Sequence, residues 1–289
     1  MNRRILQMEL RKACRNRWFF ISLASGSFLA LCGAYLMVSG YFYRTGLWEL
    51  MKDNSGAWIK NPHIGMETLF NSWIGGEIGT WSSNTFFFLF PILAVLPYGW
   101  SLCTELRSGY IKNMITRANR RDYLTAKYLA AFIAGGIAVV LPMLINFLIV
   151  ACFIPMRMPR PSESMYYGVF GGSMWSEIFY TAPIIYVLLY LVLDFVFAGL
   201  WATVSLSIAY FVKNKGSAMI APYLFLLFFH FVASVLFVWD LRIDVTPINF
   251  VRATEMTYPS NIFIILAEFA VLTVFGLLMI RRGESRDVL

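Results

Sequence analysis

The sequence predicts an all-α integral membrane protein of six transmembrane helices with both termini cytoplasmic, and three observations carry that expectation. First, of 289 residues 59% are hydrophobic and only 14% charged. Residues 18–43, 78–104, 128–156 and 216–239 contain no charge, and 178–212 and 256–280 are interrupted once each, by Asp194 and Glu268. About 20 apolar residues suffice to cross a bilayer, so six such runs argue strongly against a soluble domain. Second, the runs are continuous blocks rather than alternating segments of about ten residues, which argues against a β-barrel. Third, the charges are sorted. With the N-terminus inside, segments 1–17, 104–127, 213–215 and 281–289 hold 17 of the 24 Lys and Arg, and the external segments hold 7. This follows the positive-inside rule, so the formal charge of +8 is read as a topology signal and no nucleic-acid partner is expected.

The whole chain, 1–289, reads as one membrane domain. Residues 1–17 place Ile5, Leu6, Leu10 and Ala13 on one stripe among Arg and Lys, as in a helix lying in the cytoplasmic interface. Membrane spans are expected at 18–40, 85–103, 128–153, 184–212, 217–238 and 259–280. Between the first two, 41–84 is a large external region with Trp48, Trp58, Trp73 and Trp81. Span 2 contains Pro91 and Pro97, and span 3 contains Gly135-Gly136, a pair small enough to permit close helix approach. A short interfacial helix is expected up to Thr181 with a break at Pro183. Lys213–Gly216 is a tight turn that makes spans 4 and 5 antiparallel neighbours, and 239–258 is an external segment with Asp240, Arg242, Asp244, Arg252 and Glu255.

Little in the chain points to catalysis or metal binding. No phosphate loop, H-E-x-x-H or G-x-S-x-G motif is present, and His63 and His230 have no sequence-local ligand partner. Cys14, Cys32, Cys103 and Cys152 form no C-x-x-C pair. The unusual segment is the cytoplasmic connection Glu105–Phe132, rich in Arg, Lys, Asn and Tyr, where a topology loop would need only a few cations. Ile111, Met114 and Ile115 form an apolar edge on a short helix, Arg117, Arg120 and Arg121 follow in a polar turn, and Asp122 is placed to cap the next helix.

Glu105 and Gly109 give an E-x-x-x-G start, and Arg120 or Arg121, Tyr123 and Lys127 give an R-x-x-Y-x-x-x-K run into span 3. With the order of elements, these positions resemble the ABC-2 family of ATP-binding-cassette transporter permeases. The likeness in topology covers the chain, whereas the readable motif is confined to 105–127. It implies a coupling helix at roughly 108–118, including Tyr110, Ile111, Asn113, Met114 and Arg117, that docks on a separate cytoplasmic ATPase dimer. It further implies that Glu105, Gly109, Arg120, Arg121, Tyr123 and Lys127 fix the ends of spans 2 and 3. A second permease subunit, identical or homologous, would complete the transporter in the plasma (inner) membrane, surrounded by lipid. ATP and magnesium would sit on the partner, with no cofactor in this chain. The implied function is export of a peptide, drug-like or lipid-like amphipathic cargo by alternating access. Two other readings stand beside it: an intramembrane protease or lipid-modifying enzyme, and a sensor or immunity protein that binds peptide without transport.

Polar side chains inside spans need an account of their own, since burying them in hydrocarbon is costly. Asn146 is expected to bond across the bundle. Asp194 and Glu268 either line a cargo path or pair structurally, and the span interiors contain no Lys or Arg to pair with them.

Overall fold

Apolar helices longer than a bilayer is thick set the architecture. The computed structural model describes residues 3–50, 66–116, 119–236, 244–256 and 258–285. Arg117, Trp58, His63, Asp240 and Arg242 lie outside them, as does the side chain of Trp48. In chain order the helices are α1 (Arg3–Cys14), α2 (Arg17–Leu50), α3 (Leu69–Ser72), α4 (Trp81–Val95), α5 (Ser101–Ser108), α6 (Tyr110–Ile115), α7 (Arg120–Phe153), α8 (Ser164–Tyr167), α9 (Ser176–Thr181), α10 (Pro183–Ile208), α11 (Lys215–Leu236), α12 (Pro247–Phe250) and α13 (Ile262–Ser285). The protein is an all-α, multi-pass integral membrane protein. Among the described residues five helices, α2, α7, α10, α11 and α13, are long and apolar enough to cross a membrane. The second expected span is shorter, for α4 has 15 residues. The chain then turns at Leu96–Trp100, around Pro97, before α5.

Two helices run past the apolar blocks that mark them. α2 continues to Leu50 because 41–50 contains no proline, and its 34 residues reach about 50 Å at 1.5 Å per residue. α7 also has 34 residues. Its N-cap is Asn119, whose side chain accepts from the Arg121 N–H at 3.0 Å, so Asp122 stands in the first turn instead of capping the helix. α10 begins at Pro183, where a missing N–H leaves no helix bond unmade.

α7 is the centre of the bundle and packs on α1, α2, α4, α10 and α13. Its contact with α10 is close because Gly135 and Gly136 on one helix and Gly199 on the other admit neighbours where side chains would stand. The Phe195 ring lies over Gly136 and the Phe132 ring over Gly199. α10 and α11 are adjacent, and the Ser205 hydroxyl donates to the Ala218 carbonyl at 2.7 Å.

At the end away from α1, three chain-distant segments form a cap. Ala253 N–H bonds the Gly75 carbonyl at 2.9 Å, Glu255 N–H bonds that of Gly168 at 2.8 Å, and Tyr186 OH donates to the Ala253 carbonyl at 2.6 Å. Asn146 secures this cap to the bundle. Its amide donates to the Ala30 carbonyl on α2 and accepts from the Ile74 N–H, both at 2.7 Å.

Candidate functional site: a buried ionic knot at the α1 end

α1 is amphipathic, and its buried stripe is Ile5, Glu9 and Ala13, successive at i, i+4 and i+8. One acid therefore faces inward among apolar residues. Opposite it, the N-terminal half of α7 turns Tyr123 and Lys127 inward, also four residues apart. The elbow between α4 and α5 supplies Tyr98, and α5 carries Glu105 at the start of its last turn. Gly109 then takes φ +69°, a left-handed conformation that glycine adopts without steric penalty, and α6 turns back so that Tyr110 reaches α1.

These residues form one connected network. Glu9 and Lys127 are both 0% exposed, and the Lys127 ammonium lies 3.0 Å from Glu9 Oε2 and 2.7 Å from Glu105 Oε2. It also donates to Tyr98 OH at 3.2 Å and sits 4.6 Å above that ring's centre. Tyr98 OH donates to Glu9 Oε2 at 2.6 Å, and Tyr123 OH donates to Glu105. Lys12 closes the outer side, 2.8 Å from Glu9 Oε1 and 3.7 Å from Glu105 Oε1. Its ammonium also donates to Tyr110 OH at 3.2 Å. Two carboxylates meet two ammonium groups, with three phenols within the same network. Buried charge is tolerated under such conditions, because each ion has both a counter-ion and hydrogen bonds in place of water.

The joint is fixed from a second direction. Asn16 accepts from Phe19 N–H at 2.8 Å, which caps α2, and its amide donates to the Pro97 carbonyl at 2.6 Å. Gly99 lies against Ser205 of α10, where a Cβ would come within 2.6 Å of the hydroxyl. The elbow thus touches α1, α2 and α10 at once.

Burial alone would raise the Glu9 carboxyl, but the Lys127 charge and the hydrogen bonds from Lys12 and Tyr98 outweigh it and hold the group below its ordinary range. For Lys12, burial would lower the ammonium, and the bond and charge of Glu9 raise it instead. A carboxyl depressed on folding stabilises above its unfolded pKa of about 4.3 and ceases to as pH falls through the folded value. An ammonium raised on folding stabilises below about 10.4 and ceases to only as pH climbs past its folded value. Thermal stability in detergent is therefore expected to be flat from about pH 6 to pH 9 and to fall below about pH 4. A fall between pH 6 and 8 would contradict a closed, fully paired knot.

The residues singled out from sequence separate into two groups. Glu105, Tyr110, Tyr123 and Lys127 meet in the knot, and Gly109 makes the turn that allows it. Ile111 is buried, with Met114 and Ile115 packed against the same core, so the apolar edge of α6 faces the protein rather than outward. The exposed side of this region is polar, formed by Arg107, Lys112, Asn113 and Thr116. Arg120 opens α7 half-buried, and Arg121, 73% exposed, lies 3.3 Å from Glu284 at the end of α13. Asn146, Asp194 and Glu268 are elsewhere in the bundle, and no hydrogen bond or ion pair joins Asp194 to Glu268 among the described residues. Sequence reasoning missed Glu9, Lys12 and Tyr98. The available signal was Glu9 itself, the single acid of α1, set on its apolar stripe.

Among the described residues no group of His, Cys, Asp and Glu is placed to hold a metal ion. No curated protein matches the sequence. A family model described as "Protein of unknown function (DUF2705)" matches residues 51–284, which is most of the chain, and the protein therefore belongs to that family.

Proposed function

We propose that this protein is the membrane-spanning permease subunit of an ATP-driven exporter of the ABC-2 type, carrying an amphipathic cargo across the plasma membrane. The observation that carries this reading is the continuity of the ionic knot. A force applied to α5 and α6 reaches α1 through Lys12, α7 through Lys127 and Tyr123, and the base of α4 through Tyr98. An element that only joined two spans would need no such linkage. α6 is then the coupling helix, and its outer side, with Arg107, Lys112 and Asn113, meets the partner ATPase, which holds ATP and magnesium. In this reading α4 and the turn after it make the sixth crossing, α1 lies in the cytoplasmic interface, and a second permease subunit completes the path.

A photo-cross-linking amino acid at Asn113, on the exposed side, tests the docking. The expected result is a covalent adduct with an ATP-binding-cassette subunit, lost when Arg107 and Lys112 are both changed to Glu. Adducts with lipid alone, from a folded protein in native membranes, would sink the docking reading and favour a sensor or enzyme that works without this partner.

A further inference from the structure

The interior face of α10 carries two buried polar groups that have no partner among the described residues. Asp194 is 0% exposed, and neither carboxylate oxygen has a hydrogen bond among the described residues. Trp201 is 3% exposed, and its indole N–H is likewise without an acceptor. Seven residues apart, they lie on the same side of the helix and about 10 Å apart along its axis.

The direction of that side follows from Ser205, one turn beyond Trp201, which bonds Ala218 of α11 and lies against Gly99 below α4. Eleven residues are close to three whole turns, so Asp194 shares the face of Ser205. Phe195 and Gly199 point elsewhere, into α7. The stripe Asp194–Trp201–Ser205 thus looks toward the seam between α4 and α11, which pack on each other and on α10. Both of those helices carry an internal proline, Pro91 and Pro222, and each proline removes one backbone bond from its helix. Aromatic walls flank the acid: Tyr190 lies one turn before it, and Phe197 one turn after, against the Phe250 ring at 4.9 Å.

A carboxyl that takes up a negative charge when a cation lies against it, and a donor about 10 Å along the same face, are the complement of one molecule. No Lys or Arg in the span interiors can supply the missing charge. We propose that Asp194 and Trp201 are the cargo-recognition stripe, selecting a linear amphipath with an organic cation for Asp194 and a carbonyl oxygen for the Trp201 N–H, admitted when α4 and α11 part from α10. The aromatic rings beside Asp194 add cation–π attraction for the same charge. This rests on the permease reading above and names the chemistry of its cargo.

The test compares two probes that differ by one charge: a dansyl-labelled dodecanoyl-Gly-Gly-lysine amide and its norleucine counterpart. Binding is followed by fluorescence anisotropy on the full chain in phosphatidylcholine nanodiscs. The expected result is a preference of at least roughly tenfold for the lysine probe. Asp194→Asn removes the preference while the norleucine probe binds as before, and Trp201→Phe weakens both probes by about fivefold. Equal binding of the two probes by the wild-type protein overturns the proposal, a comparison that needs no variant to fold. So does a preference that survives in Asp194→Asn. An ATPase that copurifies with a chain showing no preference defeats the stripe and leaves the permease reading standing. A preference without any ATPase partner defeats the permease reading and leaves a binding site.

Discussion

Lys127→Met is expected to destabilise the protein by about 3–5 kcal/mol, the range for breaking a buried ion pair by removing one partner. Methionine nearly matches the length of the lysine stem, so lost packing contributes little, and the effect isolates the charge. Glu9 would remain 0% exposed with Lys12 as its one counter-ion, and Glu105 would lose its closest one. Adding Glu9→Gln removes the stranded carboxylate and should recover part of the loss, the signature of coupled neighbours in a double-mutant cycle. Unfolding by sodium dodecyl sulfate, followed by tryptophan fluorescence, reads the difference. A loss below about 1 kcal/mol would place Lys127 with exposed surface pairs and refute a water-excluded knot.

The second large effect is at the α7–α10 crossing. A Cβ on Gly135 would stand 2.8 Å from the Ala202 Cβ and 2.8 Å from the Ala94 carbonyl oxygen, so the obstacles include backbone, which cannot rotate away. Gly135→Ala is therefore expected to cost about 1–3 kcal/mol through overpacking. Gly46 on α2 is the control. Among the described residues no atom lies within 4 Å of a Cβ added there, and Gly46→Ala should be neutral or stabilise by about 0.5–1 kcal/mol. Equal effects at the two glycines in the same unfolding assay would show that the helices are not packed on Gly135.

Much of the fold was legible because hydrocarbon imposes a simple rule: the backbone must satisfy itself, so helices announce themselves as long apolar runs. The limits of the rule explain the differences. Hydropathy ends where the apolar run ends, but a helix ends where a breaker or cap stops it, so α2 continues to Leu50 and α4 stops at Val95, ahead of Pro97. Asn119 and Asp122 are both competent caps, and only the backbone geometry decides between them.

The candidate site was half legible. Glu105, Tyr123 and Lys127 stand in one local segment and were visible together. Glu9 lies 118 residues from Lys127 and 89 from Tyr98, and no local period links such distant groups. Ile111 shows the same limit in reverse. Its spacing marks an apolar edge, but which side covers it depends on α5 and α7, the helices α6 packs against. That Asp194 has no partner among the described residues could be known only from the packed bundle.

The claim at the centre of this account is that α6 couples the bundle to a separate ATPase through the ionic knot. Affinity purification of the tagged chain from native membranes in mild detergent, with mass identification of bound proteins and an ATP-hydrolysis assay on the eluate, tests it most directly. The account predicts an ATP-binding-cassette subunit and hydrolysis in the eluate, both lost when Tyr110–Thr116 is replaced by a Gly/Ser linker in a chain that remains folded. Recovery of the chain alone under several gentle conditions, or of an ATPase that still binds after that replacement, would contradict it.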